Sequence, residues 1–466
     1  MALRFFNTMS RMKEEFVPIT PGQVNLYTCG PTIYNFAHIG NFRAYMFEDL
    51  LKRYLKYKGL KVKHVMNITD IDDKTIRDSI KEGISLKEFT ARYEKAFFED
   101  IDSLGIERAD IYPAATEHVP EMVEIIKTLL DKGIAYEADG SIYFRIAKFP
   151  EYGRLSHMDI SQLKAGARVS SDEYEKESVS DFALWKGWDE GDGDVFWETE
   201  IGKGRPGWHI ECSAMSSKYL GNHFDIHCGG VDNIFPHHEN EIAQSCAATG
   251  EKFVNYWMHA EYLIVDGRKM SKSLGNFYTL RDLTDKGYPA VAVRYLLLST
   301  NYRQQLNFTL DGLEAARNSI ERLWDFYKKV DAVQGGRDNP EIEKVVEDVK
   351  TKFEQSLDDD LNISPAMGAI FDFVRDINRL IAEGNISTPQ AALVKATVDG
   401  FDTVLGFMKP ELAGDLDSEI EELIAQRNQA RKNKDYALSD KIRDDLLARG
   451  IVLEDTAGGT TWKKKL

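Results

Sequence analysis

The strongest constraint on the fold is an alternation of short apolar runs with a long helical run near the start of the chain. Residues 24–29, VNLYTC, predict a buried strand that ends at Gly30-Pro31, and residues 62–69, VKHVMNIT, predict a second strand. Between them, residues 41–58 keep apolar side chains at helical spacing. A strand, a glycine-containing turn, a helix and a strand in this order predict a Rossmann-like α/β domain with a parallel sheet.

The densest group of possible metal ligands lies in residues 205–246, which hold five of the ten histidines and three of the four cysteines. The run HHENEIAQS predicts a helix on which His237 and Glu241, four residues apart, share one face. An imidazole and a carboxylate at this spacing can bind one metal ion, with Cys212 as a thiolate ligand and the distant Cys29 as a possible fourth. Each of these residues alone is better explained as part of the core, but their density favours a metal site, with zinc as the metal.

Within the same segment, residues 223–228, HFDIHC, predict another strand. Gly230 follows it and lets a ligand approach the backbone, while Asp232 is well placed to accept hydrogen bonds from a ribose. His227 and Cys228 are close enough in sequence to compete with Cys212 as ligands, and we predict that they have supporting or structural roles.

Two further groups suit phosphates. His38, Gly40 and Asn41 fall at the start of the first predicted helix, where ligands of parallel sheets bind and where free N–H groups act as donors. Lys269 and Lys272 lie with two serines in a basic loop between glycines, which suits a polyphosphate. Taken alone, a histidine before a helix is also explained as a cap, and a loop of lysine and serine is also explained as solvated surface.

The overall composition restricts the possible functions. The 466 residues carry a net charge of −17, which argues against a protein that coats nucleic acid indiscriminately but permits a local basic surface. No run approaches the roughly 18 apolar residues of a membrane span. The N-terminal residues lack the apolar core of a signal peptide, and four cysteines do not make a disulfide framework, so we expect a reducing, cytoplasmic location.

The chain divides into six predicted segments. Residues 131–204 combine short alternating stretches with a polar, glycine-containing loop, which predicts an insertion and not a catalytic unit. From residue 310 the apolar spacing is helical and predicts a bundle of four or five helices. The predicted boundaries are 1–120 and 205–260 for the two halves of the catalytic domain, 121–204 for the insertion, 261–309 for the segment with the basic loop, 310–409 for the bundle and 418–466 for a small C-terminal unit.

The C-terminal unit is basic although the whole chain is acidic. From Arg427 to the end, ten lysines and arginines oppose six acidic residues. Arg427 and Arg431 keep helical spacing, and Trp462 stands beside a terminal run of lysines. Cations suit phosphates, and an exposed tryptophan suits stacking on an unpaired base. The alternative is a solvated helix with the tryptophan packed beneath it.

The motifs HIGN at 38–41 and KMSKS at 269–273, in this order on an α/β pattern, resemble the two signatures of class I aminoacyl-tRNA synthetases. The stretches TCGPTIYNFAHIGN, NITDIDDK, GWHIECSAM, FPHHENEIAQS and GTTW together resemble the cysteinyl-tRNA synthetase family over essentially the full length. Asn41 stands where many class I enzymes have histidine. This difference is common in such sequences and does not count against activity.

The resemblance implies ATP-dependent ligation of cysteine to tRNA(Cys) through a cysteinyl-adenylate. It implies that Cys29, Cys212, His237 and Glu241 bind one zinc ion, which takes the thiolate of cysteine and so discriminates against serine. The other implied roles are catalysis by His38, Asn41, Lys269 and Lys272, ATP binding by His38, Gly40, Asn41, Gly230, Asp232 and Lys272, lining of the amino-acid pocket by Thr69 and Trp208, and anticodon contacts by Arg427, Arg431 and Trp462.

The implied partners are L-cysteine, ATP with Mg²⁺, and tRNA(Cys), whose stem would meet residues 261–309. We expect a monomer without membrane contact. Two alternatives stay open. A ligase that joins cysteine to an amino sugar is similar through the catalytic half, but it would not need the helices and basic tail after residue 310. The second alternative is a non-catalytic relative of a synthetase that binds zinc or tRNA. The intact His38 and Lys272 argue against this alternative.

Overall fold

The computed structural model describes residues 2–158, 181–410, 414–433, 435–448, 451–456 and 459–464. The chain begins with an antiparallel pair of strands, β1 (Arg4–Asn7) and β2 (Met12–Glu15). The central sheet contains β3 (Gln23–Thr28), β4 (Lys61–Met66), β10 (Phe224–Gly230) and β11 (Val254–Ala260), and all its neighbours are parallel in the order β11-β10-β3-β4. This sheet confirms the predicted Rossmann-like α/β fold.

Helices cover both faces of this sheet, because successive side chains of a strand point to opposite faces. Helix α1 (Ile39–Tyr57) connects β3 to β4 and packs in the core to which Leu26 belongs, whereas α5 (Trp208–Leu220) and α6 (Glu239–Thr249) pack in the core of Tyr27. Both faces are therefore closed, and the sheet is accessible to ligands at the carboxyl ends of its strands.

The described residues between β4 and α5 form three α-helices and an inserted sheet. The helices are α2 (Asp73–Glu82), α3 (Leu86–Ser103) and α4 (Val119–Asp131). The inserted sheet contains β5 (Ala135–Ala138), β6 (Ser141–Phe144), β7 (Phe182–Gly187), β8 (Trp197–Thr199) and β9 (Gly202–Pro206), with antiparallel neighbours in the order β5-β6-β7-β9-β8.

The strands β7, β8 and β9 correct the sequence interpretation, which assigned a polar loop to much of this region. The polar residues there are partly buried and paired instead of being solvated. Lys186 of β7 and Arg205 of β9 are each 4% exposed, and both contact Asp73 at the start of α2. Arg205 also pairs with the buried Asp192. Residues 159–180, which belong to the same predicted insertion, lie outside the described residues.

A small three-stranded sheet lies between the catalytic domain and the helices that follow. Its strands are β12 (Leu263–Val265), β13 (Arg268–Lys269) and β14 (Leu306–Phe308), in the order β13-β12-β14. Helices α7 (Leu280–Asp285) and α8 (Ala290–Leu298) separate β13 from β14. The KMSKS loop begins in β13, so the pairing of β13 with β12 sets the position of this loop.

The predicted helical bundle is confirmed. It consists of α9 (Leu310–Asp331), α10 (Ile342–Asp358), α11 (Ile363–Ala382) and α12 (Thr388–Leu405). The C-terminal unit contains α13 (Gly414–Lys432), α14 (Tyr436–Ala448) and the antiparallel pair β15 (Ile451–Thr456) and β16 (Gly459–Lys464), packed around its own small core. Among the described helices, none combines the length and the apolar character needed to cross a bilayer.

One carboxyl group is buried in the core between α1 and the sheet. Glu48, in the middle of α1, is 1% exposed, and neither of its oxygens has a hydrogen-bond partner among the described residues. Burial raises the pKa of Glu48 to about 8. Because an ionised carboxylate without partners is unfavourable in the core, the folded protein keeps Glu48 protonated at neutral pH.

We expect Glu48→Gln to stabilise the protein increasingly as the pH rises from about 5 to about 8. The unfolded chain ionises Glu48 in this range and the folded chain does not, so the free energy of unfolding falls by roughly 1.4 kcal/mol per pH unit, a loss that glutamine removes. Melting temperatures across this range measure the effect, with Glu347→Gln on the exposed face of α10 as the control. A difference that stays constant with pH would contradict the prediction.

Candidate active site

Four side chains predicted as metal ligands converge beside the central sheet. Cys29 directly follows β3, Cys212 lies in α5, His237 lies in a short π-helical turn (Ile234–His238), and Glu241 lies in α6. Their ligand atoms are all within 4.8 Å of one another. Each side chain is buried, and Cys29, the most exposed, is 8% exposed. The fold therefore brings together residues that the sequence separates by more than 200 positions.

The helix that carries His237 and Glu241 begins differently from the prediction. Phe235 has an extended backbone inside the π-helical turn, and the regular helix α6 starts only at Glu239. The two side chains nevertheless share one face, because Nε2 of His237 lies 2.9 Å from Oε1 of Glu241. The predicted four-residue spacing thus places an imidazole beside a carboxylate.

The chemistry of the four donors fits a zinc ion. Burial raises the pKa of Cys212, but contacts with Cys29 and His237 outweigh burial and lower it to about 6, which makes a thiolate available at neutral pH. Both carboxylate oxygens of Glu241 are buried and face imidazoles, Oε1 that of His237 and Oε2 that of His227. Two sulfur atoms, an imidazole nitrogen and a carboxylate oxygen are ligand types that zinc takes in proteins.

A second set of donors shares two of these ligands. The ligand atoms of Cys29, His227, His238 and Glu241 also lie within 4.8 Å of one another. Nε2 of His227 is 2.8 Å from Oε2 of Glu241, and Nε2 of His238 is 3.2 Å from Sγ of Cys29. The sequence interpretation included His227 as a supporting residue but missed His238, whose only signal was its place next to His237.

The contacts of His238 extend away from the ligand group. Its Nδ1 lies 2.8 Å from Nε2 of His259, whose Nδ1 lies 2.7 Å from Oγ1 of Thr8. Burial lowers the pKa of His238 well below its usual range and the pKa of His259 to about 3, so both imidazoles are neutral. Cys228, which the sequence offered as a competing ligand, belongs to neither set of donors.

The two residues predicted to line the amino-acid pocket both contact this region. The indole of Trp208 stacks on the ring of His237, with centroids 4.2 Å apart. Oγ1 of Thr69 donates a hydrogen bond of 2.9 Å to Oε2 of Glu211, the residue before Cys212. Burial and the nearby Cys212 raise the pKa of Glu211 well above its usual range. Glu211 was not predicted from the sequence, and its carboxyl group lies beside Thr69.

The HIGN motif forms the start of α1. Nδ1 of His38 accepts a hydrogen bond from the backbone N of Asn41, and Oδ1 of Asn41 accepts one from the backbone N of His38. A side chain at Gly40 would lie only 2.9 Å from the ring of His38, so this close turn requires glycine. The cap therefore exists, and it fixes His38 and Asn41 at a helix N-terminus, where phosphates bind.

The KMSKS loop lies against the HIGN motif. A side chain at Gly40 would come within 3.2 Å of Cε of Met270 in the loop. The ring of Phe277, just after the loop, packs edge-on against His38 with centroids 5.1 Å apart. The two signatures, more than 200 residues apart in the chain, are thus in contact in the fold.

The loop itself is closed by one asparagine. Oδ1 of Asn276 accepts a hydrogen bond of 2.9 Å from the backbone N of Ser271, and its Nδ2 donates one of 3.2 Å to the carbonyl of Lys269. Lys269 is exposed. The side chain of Lys272 lies outside the part of the chain that the structure describes.

The residues predicted to bind ribose lie at the carboxyl end of β10. Gly230 is the last residue of this strand, and Asp232 is exposed in the turn Val231–Asn233 that follows. A Cβ atom at Gly230 would lie 2.3 Å from Oδ1 of Asp232, so the absence of a side chain lets the carboxylate fold back towards the strand end. The geometry leaves the carboxylate accessible to a ligand at this edge.

The three residues predicted to contact tRNA have different environments in the C-terminal unit. Arg427 is 7% exposed, and its Nη1 donates a hydrogen bond of 3.3 Å to Oγ1 of Thr460. This contact links α13 to β16, so Arg427 is placed to hold the unit together and not to meet a phosphate in solvent. Arg431 is exposed in the last turn of α13. Trp462 lies in β16, and its side chain is outside the described residues.

Comparisons with known proteins decide the family. Three family models match the chain. The model of the "tRNA synthetases class I (C) catalytic domain" matches residues 15–318, that of the "DALR domain" matches 352–409, and that of the "Cysteinyl-tRNA ligase anticodon binding domain" matches 413–462. The cysteine–tRNA ligase of Protochlamydia amoebophila is 53% identical over 470 residues, which cover 99% of this chain and 98% of the relative. The cysteine–tRNA ligase of Brachyspira hyodysenteriae is 51% identical over 471 residues, which cover 99% of both chains. The chain belongs to the cysteine–tRNA ligase family.

A solved structure shows the same class I fold. The methionyl-tRNA synthetase of Mycobacterium tuberculosis, in complex with methionyl-adenylate, has a TM-score of 0.63 at 13% identity, covering 82% of this chain and 92% of the other. At this identity the likeness concerns the fold alone. The backbone of this member of the cysteine–tRNA ligase family therefore has the class I fold, in agreement with its motifs.

We expect Cys212→Ser to reduce bound zinc from about one ion per chain to none, because a hydroxyl is a poor zinc ligand in a thiolate site. Cys246→Ser is the matched control, since this half-buried free thiol belongs to neither set of donors. Elemental analysis after dialysis measures the metal content of both variants. Full zinc retention in Cys212→Ser would place the ion at the second set, which lacks Cys212.

Proposed function

We propose that this protein binds cysteine and ATP side by side at the carboxyl end of β3. A zinc ion held by Cys29, Cys212, His237 and Glu241 would bind the amino acid, and the HIGN motif and KMSKS loop would hold the ATP. The family's reaction, ATP-dependent ligation of cysteine to tRNA(Cys), is the reaction of this chain. One observation carries the proposal. Cys29 directly follows β3, and the HIGN motif begins nine residues later at the start of α1.

The proposed zinc site accounts for the choice of amino acid. Bound zinc would supply a soft Lewis acid that takes the thiolate of cysteine as a further ligand, for which the hydroxyl of serine competes poorly. An apolar pocket alone separates such near-isosteres by only about a hundredfold. We propose Trp208 and Thr69 as walls of the pocket, because Trp208 stacks on His237 and Thr69 binds Glu211 next to Cys212.

The reaction needs two displacements. In the first, the carboxylate of cysteine attacks the α-phosphorus of ATP, so that cysteinyl-adenylate forms and pyrophosphate leaves. In the second, a hydroxyl of the terminal ribose of the tRNA attacks the acyl carbon, so that the aminoacyl ester forms and AMP leaves. Both steps depend on alignment of the reacting groups and on neutralisation of phosphate charge.

The residues proposed to hold ATP divide between two structural elements. The first turn of α1, with His38, Gly40 and Asn41, would present the positive end of the helix dipole to the phosphates. Lys269 and Lys272 would add charge from the loop. At the end of β10, Gly230 and Asp232 would receive the ribose. Mg²⁺ accompanying ATP would share the neutralisation of the phosphates.

The two alternative functions are not favoured. The anticodon binding domain match at 413–462 covers a unit that a cysteine–amino-sugar ligase does not need. The relatives that this chain matches over 99% of its length carry the name of the complete ligase. The HIGN and KMSKS motifs are in contact, which supports catalysis instead of a purely binding role.

Three finer predictions remain part of the proposal. We place the activity in the cytoplasm because the four cysteines stay outside disulfides, as a reducing compartment favours. A monomer stays the expected oligomeric state. The domain boundaries predicted from the sequence also stay as proposed, with residues 261–309 meeting the tRNA stem.

Cysteine-dependent exchange of pyrophosphate into ATP tests the activity, with serine as the control amino acid. We expect Lys272→Ala to lower the kcat of this exchange roughly 100-fold with a smaller effect on ATP binding, because a mobile cation meets the phosphates mainly in the transition state. Transfer of cysteine from preformed adenylate to tRNA should survive in this variant. Lys252→Ala, at an exposed lysine outside the motifs, is the control. Equal loss of both steps in Lys272→Ala would contradict this role.

We expect deletion of residues 418–466 to leave cysteine-dependent pyrophosphate exchange nearly intact and to weaken tRNA charging strongly, because recognition of the anticodon is separate from the adenylation site. Trp462→Ala should reproduce part of this loss, roughly 1–3 kcal/mol if the indole stacks on one base. Trp462→Phe, which keeps an aromatic ring, should retain most of the activity. Undiminished charging by the truncated protein would show that the unit does not recognise tRNA.

A further inference from the structure

Three consecutive aspartates stand at the end of α10 and in the turn that leads to α11, and each contacts a different part of the molecule. Oδ1 of Asp358 accepts a hydrogen bond of 2.7 Å from the hydroxyl of Tyr54, near the end of α1. Asp359 pairs with Lys13 of β2 at 2.8 Å. Asp360 lies at the junction of the bundle with the catalytic domain, and its side chain accepts three hydrogen bonds.

Both carboxylate oxygens of Asp360 are used, and the residue is completely buried. Its Oδ1 accepts hydrogen bonds from the backbone N of Phe6 at 2.8 Å and from the hydroxyl of Tyr302 at 2.6 Å. Its Oδ2 accepts one of 2.6 Å from Nε of Arg303. In addition, its backbone N donates to the carbonyl of Arg4 at 2.9 Å. One side chain thus joins the bundle to β1 and to the segment before β14.

The backbone of the turn is held in a left-handed conformation. Asp360 has φ +66° and the buried Leu361 has φ +51°. Aspartate tolerates this region, but a branched apolar residue adopts it only when surrounding contacts impose it. The contacts of Asp360 are therefore strong enough to fix the direction in which α11 leaves α10.

The bundle has a second attachment at the end of α12. Arg53 of α1 donates to the carbonyl of Thr403 at 3.3 Å, and Nε of the buried Arg294 donates to the carbonyl of Leu405 at 2.6 Å. The two attachments involve different parts of the bundle, the end of α12 and the turn between α10 and α11. The contacts of Asp360 therefore oppose pivoting of the bundle about the end of α12.

The catalytic side of this junction leads to the KMSKS loop. Tyr302 and Arg303 precede β14, which pairs with β12, and β12 in turn pairs with β13, where the loop begins. The C-terminal unit follows α12 in the chain. The orientation set at Asp360 therefore determines where the end of α12, from which the chain continues to the C-terminal unit, lies relative to the loop.

We propose that Asp360 is a positioning residue that fixes the angle between the helical bundle and the catalytic domain, so that one tRNA reaches the active site and the C-terminal unit at the same time. The inference rests on the proposed division of tRNA contacts between these two parts. A ligand that must engage two sites binds well only when their geometry matches its own length. Adenylate formation uses the catalytic domain alone and does not need this angle.

Asp360→Asn tests the proposal. Asparagine also tolerates left-handed backbone and keeps the size of the side chain, but its amide N–H group would face Nε of Arg303, donor against donor. We expect kcat/KM for tRNA in charging to fall about tenfold or more, since a shift of about 1 Å in a reacting group has effects of this size. The KM values for cysteine and ATP, and the rate of pyrophosphate exchange, should stay within about twofold of those of the unaltered chain.

Asp372→Asn is the matched control. It removes one carboxylate from the same bundle, where Asp372 is exposed on α11 and pairs only locally with Arg375 among the described residues. Tyr302→Phe supplies a milder test that keeps the stacking of its ring on Phe47 while removing one donor to Asp360. It should lower charging in the same direction and would remain informative if Asp360→Asn did not fold.

The outcomes separate this inference from the proposed function. If the unaltered chain lacks cysteine-dependent exchange, the proposed function fails. If exchange and charging fall in parallel in both Asp360→Asn and Tyr302→Phe, the turn supports the adenylation site and the inference is overturned. Unchanged charging in both variants also overturns it. Selective loss of tRNA charging, absent in Asp372→Asn, supports it.

Discussion

The active site depends on the burial of several polar side chains at the carboxyl ends of parallel strands. Buried thiols, imidazoles and carboxylates are unfavourable unless they find partners. Here they are partners for one another, since His227 and His237 both face Glu241 and His238 faces Cys29. The parallel pairing of β3, β10 and β11 sets the relative positions of the elements that carry these groups. The ligand group is therefore a product of the sheet and not of a flexible loop.

Helix α1 extends this rigidity across the molecule. Its first turn is the HIGN motif, its middle is anchored by a buried ion pair of 2.6 Å between Asp49 and Arg294 of α8, and Tyr54 near its end contacts Asp358 beside the bundle. With 19 residues at about 1.5 Å each, the helix spans roughly 28 Å. The proposed phosphate site and the attachment of the bundle are thus opposite ends of one stiff element.

Sequence patterns located the parts of the molecule that depend on local periodicity or on short motifs. The first strands, α1 and the four-helix bundle follow from apolar spacing, and the pairing of His237 with Glu241 follows from helical geometry. The strands β7 and β9 were missed because Lys186 and Arg205 look solvated in the sequence, although Asp73 pairs with both inside the fold. The buried contacts of Arg427, His238, His259 and Asp360 depend on long-range packing, which no local pattern encodes.

The same packing sets the charges around the proposed metal site. The neutral imidazoles of His238 and His259 accept and donate hydrogen bonds without adding positive charge, which would repel a metal ion. Contacts with His227 and His237 hold the pKa of Glu241 at about 2 against the effect of burial, so its carboxylate remains charged. The group proposed to hold zinc therefore contains two negatively charged side chains, Cys212 and Glu241, whose contacts with His237 raise the pKa of that imidazole to about 10. An apolar pocket of the same size could not offer cysteine the advantage over serine that the proposed zinc ion would give.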